Sequence, residues 1–97
     1  MKEEMAEEWV LVLYIASMTP AARRALGNIK IICEEHLHGK YSLEVVDLME
    51  RPALAEAHQI FAVPTLVRQL PQPLRKLIGD LADLERVLAG VELHAAT

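Results

Sequence analysis

The sequence is poor in the groups from which active sites are usually built. One cysteine, Cys33, stands among 97 residues. A single thiol closes no internal disulfide, which excludes the stapled scaffolds of small secreted domains. Aromatic residues make up 4%, and 14 acidic residues outnumber 10 basic ones for a net charge of −4. Nucleic-acid binding is therefore not expected, since it calls for a basic field and stacking platforms. The longest apolar run, "WVLVLYIA", falls well short of the roughly 20 residues that cross a bilayer. Acids precede it instead of the basic start of a signal peptide. A cytoplasmic protein without membrane association is expected. The chain has no glycine-rich phosphate loop, no paired-carboxylate constellation, no repeat and no low-complexity segment. No catalytic residue, metal site or cofactor is predicted, and the protein is not expected to be an enzyme.

Apolar residues are plentiful, at 53% of the chain. Four acids crowd into "MKEEMAEE", so residues 1–8 read as a disordered acidic N-terminus and 9–97 as a single domain. "WVLVLYIAS", 9–17, reads as a strand buried on both faces, because its apolar residues run on without alternating. Thr19 is a helix N-cap and Pro20 suits the first helical position. Ala22, Ala25, Leu26, Ile29, Ile32 or Cys33, and Leu37 then recur on one helical face, and Gly39 is the natural stop. A second strand, 41–48, completes a right-handed βαβ unit with parallel strands. Pro52 opens a short helix over 52–59. Strands are expected at 65–70 and 74–79, and a final helix capped by Asp83 runs to about His94. The order βαβαββα is thioredoxin-like, an α/β fold with a central mixed sheet. "QIFAVPTLVRQLPQPL" also tolerates a helical reading in places.

A thioredoxin-like enzyme carries its thiolate between the first strand and the first helix, where the helix N-terminus stabilises it. This chain has Ser17, Met18, Thr19 and Pro20 there. Ser17 has no base beside it in sequence, so it and Thr19 read as turn and cap residues. Cys33 falls beside the apolar helix face, where cysteine packs as a small hydrophobe. His36 and His38 are two apart and diverge on a helix, which argues against a metal site. The scaffold is thus expected to present a binding surface rather than a reaction centre.

Three ordered stretches carry a resemblance. "LYIASMTPAARRAL" resembles "LYVAGNTPNSxRAL" of the KaiB family of circadian clock proteins. "HGKYSLEVVDLMERPALAE" resembles "GxYxLxVIDVxxNPxLAE", and "IFAVPTLVRQLPQPLRKLIGDL" resembles "ILATPTLxKxLPPPxRxIIGDL". Together they span 9 to about 93. The resemblance implies a protein that docks on a KaiC-like ATPase and kinase ring and modulates its phosphorylation. The alternative readings are a signalling adaptor that docks on a histidine kinase or another stress-response partner, and a thioredoxin-family redox remnant. The resemblance also implies an alternative βαββααβ fold in a tetramer, and self-association as a dimer or tetramer. The family's ring-contacting basic positions fall on Arg24, Arg68, Arg75 and Lys76. Pro64, Pro71, Pro73, Gly79 and Asp80, with Ala89, Gly90 and Glu92 in the last helix, fall on positions that set the fold. A cis bond before Pro64 is implied as well. The chain departs from the pattern at "SMTP", at Gln72 within the proline run, and at Glu44, where clock members often carry lysine on the edge that meets KaiA. The last departure argues against a KaiA-like partner.

Overall fold

Seven consecutive residues, Trp9–Ile15, form the strand around which everything else is arranged. The computed structural model describes residues 8–90. In chain order the elements are β1 (Trp9–Ile15), α1 (Pro20–Leu37), β2 (Tyr41–Asp47), α2 (Ala53–Ala57), β3 (Thr65–Leu70), β4 (Arg75–Ile78) and α3 (Leu84–Gly90). The expected βαβαββα order is the observed one. The acidic segment and the end of the last helix, with Glu92, fall largely or wholly outside the described residues.

The sheet order is β2-β1-β3-β4. β1 is parallel to β2, Trp9 facing Tyr41 and Ile15 facing Asp47, while β3 runs antiparallel to both β1 and β4. Being central, β1 buries both its faces, which explains the unbroken apolar run. Leu11, Leu13 and Ile15 pack with Ala25, Ile29 and Cys33 of α1. Val12 and Tyr14 point the other way, towards Val46, Ile60 and Val67.

α1 begins where the cap chemistry places it. Thr19 is extended, and its Oγ1 accepts the Ala22 N–H at 3.1 Å. The helix ends with His38 in the left-handed region at φ 52°, ahead of Gly39 at φ 83°, so the expected glycine stop is shared with a histidine. α3 starts from Asp83, whose Oδ1 accepts the Arg86 N–H at 3.2 Å. α2 is shorter than the 52–59 predicted. Gln59 turns to φ 57° and the chain leaves the sheet's second face after little more than one turn.

Candidate partner-binding surface

The crevice that would carry thiol chemistry in this fold is built from other groups. Ser17 follows β1 at φ 64°, and its N–H donates to Asp47 Oδ1 at 3.1 Å. The same carboxylate oxygen accepts the Met49 N–H at 2.9 Å, so one aspartate ties the β1–α1 and β2–α2 loops together. Across the crevice the Val63–Pro64 bond is cis, as are the bonds preceding Pro71 and Pro73. Cys33 lies about three-quarters of the way along α1 and is fully buried. Burial pushes its thiol up to about 12, and the Glu34 charge adds to this. At neutral pH the group is a protonated core side chain rather than a nucleophile. Among the described residues no cluster of three His, Cys, Asp or Glu could hold a metal.

The four basic positions singled out in the sequence are spread over the molecule. Arg24 is exposed on α1, and its Nε donates to Asp80 Oδ2 at 3.3 Å. Asp80 also accepts Asn28 Nδ2 on its backbone carbonyl at 2.9 Å and caps Ala82 N through Oδ1 at 3.1 Å. It therefore fastens the β4–α3 connection to α1. Arg68 is only 2% exposed, which corrects its expected place on the surface. Its guanidinium lies 5.3 Å from the Trp9 ring centroid and donates to the Pro73 carbonyl at 2.6 Å. A charge-assisted bond and a cation–π contact thus hold the β3–β4 turn against the start of β1. Arg75 and Lys76 are neighbours on β4, and strand alternation sends them to opposite faces of the sheet. Arg75 pairs with Arg68 on the α1 face; Lys76 pairs with Val67 on the α2 face. No single patch contains all four.

Because α2 is short, the second face of the sheet is left partly open. A groove of about 500 Å³ lies there, lined by Tyr14, His58, Val67, Gln69, Leu74 and Lys76 among others. The Tyr14 hydroxyl sits 2.6 Å from His58 Nδ1, and the two rings meet edge to face with centroids 5.9 Å apart. Burial raises the Tyr14 pKa, with the Glu44 charge adding and Arg51 opposing, so the phenol keeps its proton at neutral pH. Lys76 Nζ donates to the carbonyls of His58 at 3.0 Å and Gln59 at 2.9 Å, which fixes a cation at the groove's rim. Sequence reasoning found Lys76 but not its setting. Phe61, in the loop before Pro64, is 88% exposed.

The positions associated with setting the fold have local roles. Gly79 takes φ 123°, a region that favours glycine, and its N–H donates to the Pro64 carbonyl at 3.0 Å. Gly90 packs on β4. A Cβ there would lie 2.9 Å from Leu77 Cδ1, so the glycine in the helix makes room for a neighbouring side chain. Ala89 is exposed on α3.

Comparison with known proteins gives a consistent picture. A family model described as the KaiB domain matches residues 12–93. The circadian clock oscillator protein KaiB of Microcystis aeruginosa is 51% identical over 85 residues, covering 88% of this chain and 82% of that protein. The protein of the same name in Trichodesmium erythraeum is 47% identical over 89 residues, 92% of this chain and 86% of that one. Among solved structures, the N-terminal domain of Synechococcus elongatus SasA aligns with a TM-score of 0.74 at 21% identity, over all of this chain and 95% of that domain. Mitochondrial thioredoxin 3 of Saccharomyces cerevisiae aligns at 0.68 with 16% identity, over 88% of this chain and 77% of that one. At such identities the structural likenesses establish the fold, which is thioredoxin-like.

Proposed function

This chain belongs to the KaiB family, and from that premise we propose that it is a clock regulatory protein that docks on a KaiC-type ATPase ring and modulates its phosphorylation. It acts in the cytosol as a binding protein, with no catalysis of its own. The observation that carries this reading is the near-full-length match to proteins named as circadian clock oscillators.

Two features of the molecule support it. The crevice residues Ser17, Met18, Thr19 and Pro20 lack a thiolate, and the one thiol is buried in the core. The cations of Arg24, Arg75 and Lys76 meet the surface at separate points, where complementary charges on a partner would fix its register. Arg68 serves the docking surface indirectly, by holding the hairpin that carries Arg75 and Lys76.

The test is size-exclusion chromatography with light scattering, on the protein alone and mixed with the KaiC-type ATPase of its own organism and ATP. Co-elution with the ring is expected. A chain that elutes unchanged at micromolar concentrations would overturn the assignment.

A further inference from the structure

We infer that the outer edge of β4 receives an extended acidic segment of the partner as a fifth strand of the sheet. The identity of the partner rests on the proposal above; the mode of docking comes from the geometry of β4.

β4 is the last strand in the order β2-β1-β3-β4. In an antiparallel ladder, facing pairs alternate between bonded and non-bonded. The Gly79 N–H donates to Pro64, which fixes the phase: Leu77 and Arg75 bond inward to β3, while Lys76 and Ile78 do not. The N–H and C=O groups of Lys76 and Ile78 therefore point away from the sheet, and no described backbone group outside it meets them. Such a row is a template for strand addition.

The side chains specify the guest. Alternation places Leu74, Lys76 and Ile78 on one face, with Leu74 51% and Ile78 52% exposed. Lys76 has three N–H donors, of which two are held by the carbonyls of His58 and Gln59. Neither ion pair among the described residues involves it, so its charge is fixed in place and uncompensated. A guest strand that matches this row presents apolar, acidic and apolar residues at alternate positions, since opposite charges across a strand pair attract. A second copy of this chain fits poorly, because β4, with the sequence Arg-Lys-Leu-Ile, offers no acidic residue to face Lys76. The lysine that deters self-pairing is also the group that selects an acidic guest.

The experiment measures affinity of the full chain for the KaiC-type ring with ATP, comparing wild type with Ile78→Pro, Ile78→Thr and Lys76→Glu. Proline at 78 removes an outward N–H without removing a ladder bond, a position where edge strands tolerate it. Ile78→Thr alters the side chain and keeps the N–H. Ile78→Pro and Lys76→Glu are each expected to weaken binding by about tenfold or more, and Ile78→Thr by less than about threefold. Wild-type binding with Ile78→Pro within about twofold of it overturns strand addition and leaves the partner intact. No binding by wild type overturns the partner assignment, and this proposal falls with it. Hydrogen exchange on the wild-type chain gives a readout independent of how the variants fold. Lys76 and Ile78 amides should slow when the ring is added; unchanged exchange in a formed complex overturns the proposal. A free chain of doubled mass that Ile78→Pro makes monomeric assigns the edge to a second copy instead, and also overturns it.

Discussion

Between Trp9 and Asp47 the chain makes three long elements: strands of 7 residues flanking a helix of 18. Between Ala53 and Ile78 it makes three short ones, of 5, 6 and 4 residues, followed by α3. The first stretch supplies most of the apolar core, with Leu11, Leu13, Ile15, Ala25 and Ile29 at 3% exposure or less. In the second stretch lie the three cis bonds and the exposed Phe61, Val63, Leu70, Leu74 and Ile78. The difference teaches a division of labour. Residues 9–47 hold the fold by burial, a non-directional and additive force. Residues 53–90 add a smaller buried set, with Leu66, Val67 and Val87, and are fastened besides by specific side-chain contacts from Arg68, Lys76 and Asp80. Low local stability is where binding elements are usually drawn from.

The comparison can be broken most forcefully in its first half. Ile29→Ala removes a side chain that is 1% exposed at the α1–β1 contact. A loss of about 2–5 kcal/mol is expected by urea unfolding, as for other large-to-small core changes. A loss under about 1 kcal/mol would mean that α1 is not the frame. Next comes Arg68→Met, which keeps an apolar stem beside Trp9 but removes the bond to Pro73 and the cation–π contact. A cost of about 1.5–3 kcal/mol is expected for a charged hydrogen bond of this kind. Faster exchange should appear in the β3–β4 hairpin, with β2 little affected. The smallest effect sharpens the comparison from the other side. Phe61→Ser should change stability by no more than about 0.5 kcal/mol, since the ring is 88% exposed and touches little. A larger loss would show that the loop before Pro64 contributes to the core.

The same division governs how much could be read from the sequence. In the first half each element follows from one dominant cause. A continuous apolar run means two-sided burial, and Thr19-Pro20 means a helix start, so strand, helix and parallel pairing were all legible. In the second half the elements were legible but their settings were not. Arg68 sits in a strand pattern as an ordinary charged residue. Nothing local says that its guanidinium turns beneath residues 71–74 to reach the Pro73 carbonyl. Arg75 and Lys76 stand together among the ring-contacting positions that the resemblance implies, although period-two alternation was sufficient to place them on opposite faces. Gly90 reads as a helix weakened by about 1 kcal/mol relative to alanine. Its reason is long-range, the Leu77 side chain occupying the space a Cβ would need. The groove over Tyr14 and His58 exists because α2 stops at Ala57, a boundary finer than hydrophobic periodicity resolves.

Native-state hydrogen exchange on the free chain tests the division most directly. Amides of β1 and α1 should exchange only through global unfolding. Those of β4 and α3 should exchange through a partial opening at least about 1.4 kcal/mol less costly, a tenfold difference in protection. One common opening free energy for all four elements would contradict the account, since the two stretches would then be a single cooperative unit.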